Sequence, residues 1–182
     1  MLDLYRYSKA EMDDLIKTMV ILVDTREKVN GHILKTFEQN NIAYKTRKLD
    51  FGDYSVMIPK NEKFDIPRDL MFSRKIMIER KGSLEEISGN LTNTTEHDNR
   101  DRLEKELTLA PKTKVLLIEN GSYEDICEKR YNTQYSRSAF VASLLSFWFR
   151  YNCPIFFMPD PRYSGIFIAK FLEYYLREYF KC

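Results

Sequence analysis

The stretch IMIERKGSLEEI, residues 76–87, decides the architecture. Ile76, Met77 and Ile78 run straight into Glu79, Arg80 and Lys81, and the apolar pattern then stops. KIMIERK (75–81) reads as a strand. A buried strand seldom ends on three consecutive charges unless a polar site waits there. Ser83 and Glu86 come next in capping-box spacing, so a helix begins at once over SLEEISGNL (83–91).

The same alternation extends to both sides. Ser8 and Glu11 form another capping-box start, for a helix over 8–18. MVILVD (19–24) is an apolar run ending in an acid, the mark of a buried strand. GHILKTFEQNN (31–41) puts Ile33, Leu34 and Phe37 on one helical face. IAYKTRKL (42–49) alternates as a strand, Gly52 makes a turn, and DYSVMI (53–58) is expected as its hairpin partner. Residues 59–75 read as a loop or long hairpin tip, and the Asn/Thr-rich stretch 90–99 as a mobile segment. A helix over 100–110 and a strand over 114–120 come next. The helix over 136–151 has Phe140, Leu144, Phe147 and Trp148 on one stripe. A strand over 153–158 and a helix over 164–180 close the chain. Alternating elements with an early strand pair predict an α/β fold, a mixed central sheet covered by helices. No repeat or linker interrupts it. One domain over 1–182 is expected, with residues 1–18 as an N-terminal helical extension.

Composition narrows the function classes. The 182 residues are 43% hydrophobic and 14% aromatic, enough for a packed core and too much for wholesale disorder. A net charge of +2 means that an anionic partner must be met by a local basic face. Cys127, Cys153 and Cys182 are few, scattered and without CxxC spacing. They fit reduced thiols of a cytoplasmic protein, with neither a disulfide frame nor a zinc site. Two histidines, His32 and His97, exclude a His-rich metal cage, so any metal must be held by carboxylates. No apolar run approaches the ~20 residues of a membrane span.

Three strand-associated acids stand out: Asp24, Asp53 and Glu79. On a strand, Glu79 and Lys81 share one side, roughly 6–7 Å apart, and Arg80 faces the other. If the strands are neighbours, the three acids converge at one end of the sheet. Converging carboxylates repel unless a cation compensates. Mg²⁺, which takes one or two carboxylates along with waters and phosphate oxygens, is a natural counter-charge. It lowers the pKa of a bound water and stabilises charge at a phosphoryl centre. Taken singly, each residue reads as a turn, cap or solvated strand end. Taken together and in this order, they suit phosphodiester hydrolysis.

VDTRE (23–27), FGDY (51–54) and IERK (78–81) resemble the nuclease motif of XPF-type structure-specific endonucleases, whose signature is G-D, a variable insert, then E-R-K-x-x-x-D. RLEKEL (102–107), KVLLIEN (114–120) and 138–160 continue the likeness, from about residue 20 to the end. The resemblance implies a restriction-endonuclease-like fold and Mg²⁺- or Mn²⁺-dependent cleavage of DNA near duplex–single-strand junctions. It implies Asp24, Asp53 and Glu79 as metal-site acids, Lys81 assisting the water and Arg80 supporting the site. Arg26 and Glu27 would flank it, and Arg102 matches an arginine after the motif. The motif's last Asp falls at Glu85. These 182 residues hold no tandem helix-hairpin-helix module and no helicase segment, so DNA binding is expected from the chain's own surface or from a partner. A bacterial, phage or mobile-element origin is expected by analogy.

Basic residues for DNA phosphates cluster at Lys45, Arg47 and Lys48, at Lys60, Lys63, Arg68, Arg74 and Lys75, and at Arg130 and Arg137. Those in 59–75 are expected near the site. The last helix carries Phe167, Phe171, Tyr174, Tyr175, Tyr179 and Phe180, more aromatics than one face buries. Together with the resemblance, this predicts a homodimer through the C-terminal helices. Two other readings share the residues: a degenerate module that binds DNA or a partner, and a junction resolvase or restriction-type nuclease of the same fold.

Overall fold

Seven strands form one sheet in the computed structural model, which describes residues 7–92 and 99–181. The strands are β1 (Val20–Val23), β2 (Tyr44–Thr46), β3 (Tyr54–Ile58), β4 (Leu70–Met71), β5 (Ile76–Lys81), β6 (Thr113–Glu119) and β7 (Ile155–Met158). Their order is β2-β1-β3-β5-β6-β7, with β4 paired to β3. β3 is antiparallel to β1, β4 and β5, while β5, β6 and β7 run parallel, as do β1 and β2. The sheet is therefore mixed, as its alternating elements predict.

Helices cover both faces. α1 (Lys9–Ile16), α2 (Gly31–Gln39) and α7 (Ser164–Lys181) pack on one side, where Leu15, Phe37, Ile168 and Leu172 meet Ile76, Ile78, Val115 and Leu117. α3 (Leu84–Leu91), α4 (Asn99–Leu109), the short α5 (Tyr123–Cys127) and α6 (Arg137–Tyr151) pack on the other, around Met77, Leu116 and Ile118. The strand period of two sorts β5 between these layers. Ile76 and Ile78 belong to the first core and Met77 to the second. Glu79 and Lys81 continue on the side of Met77, and Arg80 on the side of Ile78.

Four expectations change. β2 does not form a hairpin with β3. It lies parallel to β1 because α2 intervenes between them, and a strand–helix–strand crossover returns the chain in the same direction. All five residues of β3 are buried, so it occupies the middle of the sheet. Residues 59–75 are not a bare tip. They hold a 3₁₀ turn (Glu62–Phe64), a bridge between Asn61 and Ile66, and β4, and they sink Phe64, Ile66 and Phe72 into the first core. On α6, Phe140, Leu144 and Phe147 are buried, but Trp148 is 46% exposed, because it has turned past the edge of the stripe. α5 is an additional helix, started by a reciprocal capping box between Ser122 and Asp125. Residues 93–98 of the Asn/Thr-rich stretch lie outside the described residues.

Candidate active site

The ends of five parallel-running strands and the start of β3 meet at one edge of the sheet. Gly52 turns the chain into β3 with φ +64°, a conformation that favours glycine, and a Cβ there would come within 2.9 Å of Met77 Sδ. Asp53 is then pinned by its backbone. Its N–H donates to Ile78 O at 2.9 Å, and its carbonyl accepts from Asp24 N at 2.8 Å. Its carboxylate Oδ2 accepts from the Arg80 N–H at 2.8 Å. On the same face, Lys81 Nζ donates to Glu79 Oε1 at 2.8 Å. Glu79 is only 6% exposed.

Three charges in so little water perturb one another. Burial first, then the Glu79 charge, push the Asp53 carboxyl well above its ordinary range, against the pull of the Arg80 N–H. Burial likewise raises Glu79; Lys81 opposes the rise and Glu106 adds to it. Burial would lower the Lys81 pKa, but the Glu79 carboxylate outweighs it and Lys81 ends above its usual value. Lys81 is therefore a cation at neutral pH.

Arg80 points to the opposite face. Its Nη2 donates to Glu119 Oε2 at 2.8 Å and its Nη1 to Glu27 Oε1 at 3.2 Å. Glu119 Oε1 lies 2.9 Å from His32 Nε2. Despite its burial, Glu119 is held below its ordinary range by hydrogen bonds, that of Arg80 foremost.

Asp24 has a different occupation from the other two acids. Its Oδ1 accepts from the Arg26 N–H and Nε at 2.7 and 2.8 Å. Its Oδ2 accepts from Leu49 N at 2.6 Å and from Arg26 Nη2 at 3.2 Å. Burial raises its pKa, but these donors more than offset that and hold it below the ordinary value. Both oxygens are thus committed to tying the loop after β1 to the segment before Asp50. Glu85 faces away from the acids, its Oε1 accepting from Asn132 N at 3.0 Å. The carboxylate that turns to the site from α3 is Glu86, which accepts from Gly82 N at 2.7 Å and lies 3.8 Å from Lys81 Nζ. Ser83 still caps α3 through Glu86 N, but Glu86 reaches back to Gly82. Glu106 of α4 joins from the other side and accepts from Gly52 N at 3.2 Å. Among the described residues, no three His, Cys, Asp or Glu side chains are placed to hold one ion. The Arg102 side chain lies outside the described residues.

A family model, the ERCC4 domain, matches residues 23–171. The chain belongs to the ERCC4 domain family. No curated protein matches the sequence. Among solved structures, XPF from Aeropyrum pernix superposes with a TM-score of 0.60 at 17% identity, covering 86% of this chain and 61% of that one. XPF from Aeropyrum pernix in complex with DNA superposes with a TM-score of 0.59 at 16% identity, covering 87% of this chain and 66% of that one. The chain thus spans less than two thirds of these structures' own length. The fold is that of the XPF nuclease, restriction-endonuclease-like.

In this ERCC4 domain the basic residues divide by position. Thr46 ends β2 beside Val23, and Arg47 N donates to Val23 O at 2.8 Å. Arg47 and Lys48 therefore stand at the site's end of the sheet, and Lys45 just before them; all three are exposed. Lys60, Lys63 and Lys75 of the 59–75 group do not adjoin the acids. β3 leads away from Asp53, so the segment after Ile58 starts at the far end. Lys63 pairs with Asp14 of α1 at 2.9 Å, Lys60 with Glu62 at 3.1 Å, and Lys75 donates to Tyr179 at 2.6 Å. Arg74 reaches Asp50 at 3.0 Å, and Arg68 is exposed. Arg130 is paired with Glu124, Asp125 and Glu128, and Arg137 donates to Cys127 O at 3.0 Å.

Glu86 had a signal in the sequence, since S-x-x-E spacing places it at the first turn beside the strand end. Glu119 had a weaker one, as the acid that ends KVLLIE. Glu106 and His32 had none, because only packing brings α4 and α2 to these points.

Proposed function

We propose that this ERCC4 domain is a divalent-metal-dependent DNA endonuclease that cuts branched or flapped DNA. The observation that carries the reading is the Asp53–Glu79–Lys81 arrangement: a buried and a half-buried carboxylate whose charges conflict, beside a lysine that stays protonated. The donor set suits Mg²⁺ or Mn²⁺. Asp53 commits Oδ2 to the Arg80 N–H and Glu79 commits Oε1 to Lys81, which leaves one oxygen of each for a cation. When bound, that cation supplies a nucleophilic water at neutral pH and stabilises charge on the phosphoryl oxygens. Lys81, a cation held by Glu79, orients the attacking water and offsets phosphate charge; being protonated, it does not accept the proton. Asp24 and Arg26 act as positioning residues that hold the loops at Leu49. Glu27 holds Arg80.

The DNA reading draws on the family and on Arg47, Lys48 and Lys45 at the site's edge, which would meet phosphates without regard to sequence. A homodimer through the C-terminal helices remains the best use of exposed Tyr174 and Tyr179 on α7 and of Phe156 on the edge strand β7.

Metal binding gives a test with a definite sign. Asp53 and Glu79 have raised pKa values when folded, against 3.8 and 4.5 ordinarily. The metal-free fold therefore binds protons that the unfolded chain releases. These groups favour folding at low pH and oppose it increasingly as pH rises through their folded values. Mg²⁺ removes that penalty. At about a hundred times its dissociation constant it should stabilise the wild type by about 2.7 kcal/mol, read from melting curves at pH 7.5. Asp53→Asn should show little of this gain. A wild type whose melting ignores both Mg²⁺ and Mn²⁺ would remove the metal from the proposal.

A further inference from the structure

Behind the acids runs a line of paired polar groups from the surface of α2 to the rear of the site: His32, Glu119, Arg80, Glu27. Arg80 is 7% exposed and Glu119 is fully buried, while the His32 side chain is 34% exposed. Arg80 Nε has no partner among the described residues, so the seat of the guanidinium depends on its two carboxylates. The buried Ser164 hydroxyl also lies beside Glu119 but makes no well-formed hydrogen bond, so without His32 the carboxylate can rotate and offer either oxygen. His32 Nε2, which carries the proton beside a carboxylate, takes Oε1 of Glu119 and leaves Oε2 for Arg80. The Arg80 backbone N–H is at the same time the donor to Asp53. Displacing the guanidinium therefore disturbs Glu27 on one side and the Asp53 carboxylate on the other.

We infer that Glu119 and His32 are positioning residues: together they lock Arg80, and through it Glu27 and the strand backbone that orients Asp53. Partners that orient the groups holding a metal commonly change activity by about 10–100-fold when removed. The kinetic consequence rests on the nuclease reading; the locking of Arg80 does not.

The test follows the Arg80 side chain directly. Protein labelled with ¹⁵N-arginine is prepared as wild type, His32→Gln, His32→Phe and Glu119→Gln. Solvent exchange of the Arg80 Nε–H is measured beside kcat and KM on branched DNA with Mg²⁺. Slow exchange is expected in the wild type and in His32→Gln, whose amide can donate from the place of Nε2. Fast exchange is expected in His32→Phe and Glu119→Gln, with kcat lowered about 10–100-fold and KM little changed. Exchange as slow in His32→Phe or Glu119→Gln as in the wild type would overturn the inference. A wild type that cuts no DNA, with exchange in the expected order, would overturn the nuclease reading and leave the positioning standing.

Discussion

Asp53→Asn is expected to lower the cleavage rate about a thousandfold, the scale of losing a preorganised charged group at a reaction centre, and to leave the fold at least as stable as the wild type. The two halves of this expectation have one cause. Asp53 lies half-buried beside Glu79, and both carboxyls sit above their ordinary values because removal from water and neighbouring negative charge disfavour their ionised forms. Asparagine has the same shape and keeps a carbonyl oxygen for the Arg80 N–H. It removes the repulsion, and it removes a charge that a cation needs. Single-turnover rates on a branched DNA measure the first half, and melting without divalent ions measures the second. A variant that cuts at the wild-type rate would take Asp53 out of the site. A variant that loses its fold would make Asp53 a structural residue.

Arg80→Ala is expected to act in the opposite sense, through stability. The guanidinium is buried between Glu27 and Glu119, whose side chains are 11% and 1% exposed. Removing one partner of a buried ionic group leaves uncompensated charge and costs about 3–5 kcal/mol. Here two carboxylates lose their cationic partner, and Glu119 keeps only His32 and the Ser164 hydroxyl beside it. Lysine is not a sufficient substitute, because a single ammonium on a flexible stem cannot span both carboxylates as a planar fork does. Urea denaturation at pH 7 reads the change. A loss below about 1 kcal/mol, the scale of an exposed pair, would mean that the charges are solvated rather than locked.

The contrast between Asp53 and Arg80 was legible in the strand itself. The period of two sends Glu79 and Lys81 one way and Arg80 the other, and the structure pairs each with groups of its own face. The strand-end acids were also legible, because an apolar run seldom stops on Asp or Glu unless a turn or a polar site lies there. What the sequence could not convey was which acid stays available. Asp24 looks like Asp53 on paper, but the Arg26 N–H, the Arg26 guanidinium and the Leu49 N–H take both its oxygens. Counting along the motif leads to Glu85, whereas helix phase at the start of α3 turns Glu86 to Lys81 and Glu85 to Asn132. Pairing of β3 with β1 and β5 rather than with β2 depends on long-range packing, although α2 between β1 and β2 already favours a parallel pair. The contact between His32 and Glu119 spans 87 positions, and no local pattern records it. Charge alone puts the 59–75 lysines and arginines at the site; the direction of β3 carries Lys60 and Lys63 away, while Arg74 turns back to Asp50.

Whether this ERCC4 domain is a metal-dependent nuclease of branched DNA is decided by one cleavage assay. Purified protein with Mg²⁺ or Mn²⁺ is given end-labelled duplex, single strand, splayed arm, 3′ flap, 5′ flap, nicked duplex and four-way junction, with Asp53→Asn run in parallel. The expected result is cleavage confined to branched or flapped DNA, absent without the metal and absent in the variant. DNA bound but left uncut in both metals would contradict the claim and leave this ERCC4 domain a binding module.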